Sequence, residues 1–316
     1  MPATSTRFGV LCVLASTAFF SLTATFVVNA YDSGANPVGV LTVRFAIASV
    51  FMVAARRIVR PNAPWPSRRV TLELMTLGGT SYFLGALLYF NALARMDSGL
   101  SIVIFYTYPI LVVFGNWIIN HHRPSRNIAI ALVMSVTGVI ITVGQVGNAT
   151  GAGVIFCFAS TITYTAYTLG SARVLPKTDL FTGVTVVMIG AFACFAVLAT
   201  VGSPFIDVNF PETTVGWVNV ILLAIIATAI ATGVFFVGIR NLGPSTTSII
   251  TTFEPVLTIV AGVIFLGESF TLARGIGAAF VSGRSSSSVC SSRAAPRPPR
   301  SSSRSSPPGR TAERDH

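Results

Sequence analysis

Two ionisable residues set in apolar surroundings carry most of the chemistry this sequence can do. Glu254 stands in the middle of STTSIITTFEPVLTIVAGVIFL (245–266), and Arg44 follows Pro37 by seven residues in an apolar run over 37–55. Proline has no backbone N–H and opens the carbonyl ladder one turn earlier, so Pro255 leaves polar backbone beside the Glu254 carboxyl. Such a carboxyl can be a substrate or proton site, or a buried structural acid paired with a neighbour. An arginine about 10 Å from its helix end can hold a substrate carboxylate. It can equally be a structural cation, set against backbone carbonyls or against Glu254. Tyr106 and Tyr108 offer hydroxyls, but residues two apart do not share a helix face, so one at most lines a cavity well. Asn91 is a further candidate, with headgroup water as the alternative that would satisfy it. The candidate substrate-binding set is therefore Glu254, Arg44, Tyr106, Tyr108 and Asn91, with Pro109 and Pro255 as helix kinks lining the cavity.

Other chemistries find no footing. The histidines are His121, His122 and His316, a spacing that suits no metal site, so no metal and no cofactor is expected. Cys12, Cys157 and Cys194 lie inside apolar runs and Cys290 near the C-terminus, which reads as small core residues rather than a disulfide framework. No glycine loop of the nucleotide-binding kind is present, because GGT at 78–80 lies inside an apolar segment. Clustered nucleophiles of the sort a multi-span membrane enzyme needs are missing as well, so the reading is not an enzyme.

The elements that must position these residues are transmembrane helices. Hydrophobic residues make up 52% of the chain and charged ones 10%, too few charges to solvate a soluble protein of 316 residues. Runs long enough to cross roughly 30 Å of hydrocarbon lie at 8–28, 37–55, 74–94, 98–120, 127–146, 152–172, 181–201, 215–239 and 245–266. A tenth begins at Thr271 and keeps its apolar character only to Val281. A cleavable signal peptide is the alternative for the first run, but that run has its own copy at 152–172.

That copy belongs to an internal duplication. Shifting the chain by 146 positions pairs Pro109 with Pro255, Phe90 with Phe236 and Leu111 with Leu257, while AST at 15–17 returns at 159–161. Five spans per repeat is an odd number, so the second copy enters the membrane from the opposite side. With the N-terminus in the cytoplasm, the inner loops hold eleven Lys and Arg, against Arg95 and Arg274 outside. In span eight, Ala227, Ala231 and Phe235 form one stripe and Thr228 and Thr232 the next; helix packing is the first reading, hydroxyls facing substrate the second.

Arg44-Phe45, Tyr108-Pro109, Glu254-Pro255 and Leu266-Gly267-Glu268, in that order and on a five-plus-five repeat, resemble the EamA-type pattern of the drug/metabolite transporter superfamily. The resemblance covers about residues 8 to 281. It implies an all-α membrane protein, a ten-helix inverted-repeat transporter in the inner (plasma) membrane with cytoplasmic termini and a central cavity. Asn120-His121-His122 stands where the second repeat has Leu266-Gly267-Glu268, and the tenth helix is truncated. The expected organisation is a first repeat over 1–146, a second over 147–283, and a disordered Ser/Arg/Pro-rich tail over 284–316. Three readings stand for that tail: the product of a shifted reading frame, a basic segment on anionic lipid, or nucleic-acid binding, for which Arg clusters without aromatics are a poor signal. The expected function is a secondary carrier exporting small metabolites, amino-acid-like or amphiphilic, by alternating access. The alternative within the superfamily is a nucleotide-sugar or phosphate-ester exchanger, which would want several intramembrane cations. The partners are a small-molecule substrate and the lipid bilayer, with no nucleic acid; protons and a homodimer stay open.

Overall fold

An apolar chain in lipid has no water for its backbone N–H and C=O groups, and closing those bonds within helices is the local solution. The computed structural model describes residues 3–96, 101, 104–121, 150–202 and 206–266, with isolated positions at 126, 130, 133 and 137. The regular structure of the described residues is helical throughout. The expected fifth span, apart from those isolated positions, the tenth span, Gly267, Glu268, His122 and the C-terminal tail lie outside the described residues.

Helix α1 (Ala3–Ser21) passes through a turn at Leu22 into α2 (Thr23–Asp32). Helix α3 (Pro37–Val59) starts where Asn36 Oδ1 accepts from the Gly39 N–H at 2.9 Å, with Pro37 in the first turn, where its missing N–H costs nothing. Arg56 and Arg57 in its last turn favour the negative end of the helix dipole. The third span runs as α4 (Arg68–Thr76), a π-helical turn (Leu77–Tyr82) and α5 (Phe83–Leu93). Next come α6 (Tyr108–Asn120), α7 (Gly151–Val174) and α8 (Leu180–Val201), the last capped by Asp179. The eighth span repeats the third: α9 (Thr214–Ala224), a π-helical turn (Ile225–Ile230) and α10 (Ala231–Leu242). Helices α11 (Pro244–Thr251) and α12 (Glu254–Leu266) complete the described chain. Among the described residues, five segments are long and apolar enough to cross a membrane: Thr6–Asp32, Pro37–Val59, Gly151–Lys177, Leu180–Val201 and Thr214–Leu242.

The proline segments differ from expectation. Kinks at Pro109 and Pro255 were to bend continuous helices, yet the helix stops at Tyr106–Thr107 and again at Thr252–Phe253, then restarts one residue before each proline. The reason is local. Each proline ring excludes the carbonyl four residues back, Phe105 or Thr251, so the ladder opens there and the proline settles into the first turn of a new helix. The two breaks share the same hydrogen bond at equivalent places, Thr107 N–H to Ile104 O (3.1 Å) and Phe253 N–H to Ile250 O (3.2 Å).

Packing follows the same correspondence. Helix α3 lies along α8, α1 along α10, and α5 along α7, while α6 meets α7 and α12 meets α1. Glycine permits one of these approaches: a Cβ on Gly78 would sit 2.1 Å from the Val187 carbonyl oxygen, and one on Gly190 2.6 Å from that of Met75, so the third span and α8 touch backbone to backbone. Around this seam Phe45, Tyr82, Tyr167, Phe195 and Phe235 form a buried aromatic core.

Candidate functional site

One π-helical turn places Tyr82 in the wall of a central cavity, and the other holds Arg44, a second wall residue, through Thr228. An extra residue in a helical turn displaces the bonding ladder, and here it lets Thr228 donate to the Leu223 carbonyl five residues back (2.7 Å). The Thr228 hydroxyl also accepts from Arg44 Nε at 2.5 Å. Tyr82, last residue of the other π turn, shares a hydrogen bond with Thr232 at 3.3 Å and stacks on Tyr167 with ring centres 4.7 Å apart. Spans two, three and eight are thus joined around a cavity of about 110 Å³, ample for several waters or a small solute.

Arg44 is buried, its guanidinium between the rings of Phe45 (5.4 Å) and Phe90 (5.5 Å), distances at which a cation is attracted to the ring faces. Among the described residues it forms no ion pair, which corrects the expectation that Glu254 or backbone carbonyls hold it; Thr228 does. Glu254 lines the same cavity from the first turn of α12, the positive end of that helix's dipole. It too lacks an ion pair among the described residues. Tyr106 is buried in the same wall, its hydroxyl within hydrogen-bonding reach of the Glu254 carboxyl.

Of the residues singled out in the sequence, the structure brings Glu254, Arg44 and Tyr106 to the cavity wall. Tyr108 is elsewhere: it hydrogen-bonds to Thr251, tying the restart of one broken helix to the end of α11. Asn91 also stays out of the wall. Its amide donates to Leu87 O (2.9 Å) and its Oδ1 accepts from Arg95 Nη1 (2.8 Å), so the amide is spent within its own helix. Pro109 and Pro255 set the breaks but do not line the cavity. Sequence reasoning missed Tyr82, Tyr89, Tyr164 and Tyr167. Tyrosine favours the membrane interface, so a tyrosine deep inside a span was the available signal.

A second polar group joins the ends of α3, α4 and α8. Lys177 Nζ meets Glu73 Oε2 at 2.6 Å, Arg69 Nε meets Glu73 Oε1 at 3.3 Å, and Arg60 Nε lies 3.8 Å from Asp179 Oδ1. Arg56 donates to Thr182 Oγ1 (2.9 Å) and lies over the Trp65 ring at 4.2 Å. The hydrogen bond from Lys177 holds the Glu73 carboxyl below its ordinary range. At the other end of α3 the link to the segment after α8 is neutral, Asn36 Nδ2 to Asp207 O (2.6 Å), and nearby Asn29 Nδ2 to Asn219 Oδ1 (3.2 Å) joins α2 to α9.

Three comparisons bear on identity. A solved crystal structure superposes with a TM-score of 0.74 over 93% of this chain and 98% of its own, at 19% identity, which speaks for the fold alone. A Bacillus subtilis (strain 168) protein named uncharacterized transporter YcbK is 25% identical over 284 residues, 85% of this chain and 88% of that protein. The model of the EamA-like transporter family matches residues 7–144 and again 151–283. With its apolar helices and matches over most of its length, the chain is a multi-pass membrane transporter and belongs to the EamA-like transporter family.

Proposed function

We propose that this protein is a secondary carrier that exports small metabolites, amino-acid-like or amphiphilic, across the inner membrane by alternating access between two inverted five-helix halves. The observation that carries the reading is the cavity. It holds Arg44 from the first repeat and Glu254 from the second, beside helices broken at equivalent positions of both. Discontinuous helices with polar groups at mid-membrane are the usual architecture of a substrate site in secondary transporters. The matched contacts of α1 with α10 and of α7 with α5 suit two halves related by a pseudo-two-fold axis. With the N-terminus cytoplasmic, Leu93, Thr258 and Ser160 lie in the outer half of their spans, while the Glu73 and Asp179 links close the inner end. The conformer is then closed to the cytoplasm.

A nucleotide-sugar or phosphate-ester exchanger is the weaker reading, because Arg44 is the one cation in the cavity wall among the described residues. The test is exchange of a labelled metabolite panel in proteoliposomes at two pH gradients. Saturable exchange of at least one small metabolite is expected, and its dependence on the gradient separates proton antiport from facilitated diffusion. Failure of the whole panel to exchange overturns the carrier.

A further inference from the structure

We propose that the open groove between α4 and the end of α7 binds an anionic phospholipid, its phosphate on Arg68 and Arg69 and one acyl chain along Leu72 and Thr76. Those four residues and Glu73 line the groove from α4, and Val174 lines it from α7. Residues four apart share a helix face, so Arg68, Leu72 and Thr76 form one stripe, and all three are exposed. The stripe passes from charge to apolar surface within about 12 Å. Arg68 stands six residues before the apolar run that opens at Leu74, which puts its guanidinium at the level of the headgroups and Thr76 inside the hydrocarbon. Trp65, 59% exposed just ahead of α4, is the amphipathic ring expected at that boundary. In the proposed orientation the lipid belongs to the inner leaflet.

Charge decides which lipid fits. The groove holds two arginines and one carboxylate, and that carboxylate already takes a hydrogen bond from Lys177 Nζ at 2.6 Å. Arg68 has no ion pair and no hydrogen bond among the described residues. Arg69 meets Glu73 through Nε at 3.3 Å, but its side chain is 89% exposed, and an exposed pair of this kind contributes little. Two guanidinium groups therefore reach the headgroup region without a full partner, in the planar fork that suits phosphate oxygens. A zwitterionic lipid carries its own cation beside the phosphate, whereas an anionic one leaves the phosphate charge to the arginines. Below them Leu72 is 56% exposed and Val174 closes the α7 side. A soluble phosphate has nothing to lay against this apolar wall; an acyl chain does.

The experiment offers the full chain, purified in detergent, equal amounts of phosphatidylglycerol and phosphatidylcholine with matched acyl chains, and native mass spectrometry counts the lipids retained. One phosphatidylglycerol per chain is expected to be kept with a roughly tenfold or greater preference, the worth of a charge-assisted contact. Arg68→Gln combined with Arg69→Gln should abolish the preference. Arg7→Gln combined with Arg57→Gln removes two exposed arginines outside the groove and should keep it, which a general attraction of a basic face for anionic lipid would not produce. Should the first double variant aggregate, Arg68→Gln alone, at a side chain with no partner to lose, should lower the preference by about threefold. Thermal unfolding then separates lipid from free phosphate: phosphatidylglycerol should raise the unfolding temperature of the wild type and glycerol phosphate should not. Equal retention of the two lipids, or equal loss of preference in both double variants, overturns the proposal. So does stabilisation by glycerol phosphate as strong as by the lipid, which would mark a soluble-phosphate site, and so does a lipid-free dimer in place of a lipid-bound chain, which would mark the stripe as a contact between copies.

Discussion

Glu254 concentrates the functional case in one atom group. Its carboxyl stands at the restart of a broken helix, at the wall of the cavity and within hydrogen-bonding reach of the Tyr106 hydroxyl. Glu254→Gln keeps the shape and removes the ionisable carboxyl, so transport is expected to fall by an order of magnitude or more while membrane insertion and elution profile stay unchanged. Wild-type exchange rates in that variant would remove Glu254 from the mechanism. Tyr108 calls for the opposite result. Its hydroxyl is used by Thr251, away from the cavity, so Tyr108→Phe should cost about 0.6 kcal/mol of stability, the average for a hydrogen bond between membrane helices, and leave substrate affinity intact. A large affinity loss with unchanged thermal stability would put the hydroxyl in the binding site after all.

At the scale of elements, the broken helices and the glycine seam make separate predictions. Pro255→Ala restores a backbone donor and removes the ring that opens the ladder at Thr251, so the break should shorten and transport should fall more than stability. The same turn closes at Ile104 and Ile250 in the two repeats, so Pro109→Ala is expected to act alike; one silent and one dead variant would end the argument from symmetry. Gly78→Val acts differently, because a side chain there meets the Val187 carbonyl and backbone rather than a flexible side chain must move. Its cost should be about 1–3 kcal/mol, read as a lower unfolding temperature in detergent. Much of this was legible beforehand. Hydropathy marked apolar spans, five of which stand among the described residues, the chain's self-match marked Pro109 and Pro255 as equivalent, and the rarity of charges in apolar runs marked Glu254 and Arg44, though not that the two would stand apart. The breaks were misread as kinks, since a proline says where the ladder opens but not whether the chain re-forms it. The π turns left no local mark in LGGTSY or IIATAI. Without them, neither the bond from Arg44 to Thr228 nor the entry of Tyr82 into the wall could be drawn.

Across the whole molecule, the helix ends on the two sides are tied by links of different kind, and under the proposed carrier mechanism that difference would bias alternating access. The end that the proposed orientation puts in the cytoplasm is held by Glu73 with Lys177 and Arg60 with Asp179, whereas the far end is held by uncharged groups around Asn36 and Asn219. Charged links between exposed side chains are weak singly and are screened by salt, so they suit a latch that opens in every cycle. The sign of its pH dependence follows from Glu73. A carboxyl held below its ordinary range by the Lys177 hydrogen bond contributes fully above that ordinary range, and the contribution is lost as pH falls through the lowered value. Acidifying the cytoplasmic side, or Glu73→Gln at neutral pH, should release the inner end and shift the population toward the inward-open state. A cysteine placed at Thr258, in the cavity wall, reports the change: its labelling by an impermeant reagent from outside should slow by about two- to threefold when the latch is lost, as far as an exposed pair can move a balanced equilibrium. High salt should act in the same direction on the wild type and have little further effect on the Glu73→Gln variant. Faster outside labelling on loss of Glu73 would mean that the pair holds the protein open to the outside by some other contact, and the assignment of this end as the inner gate would fall.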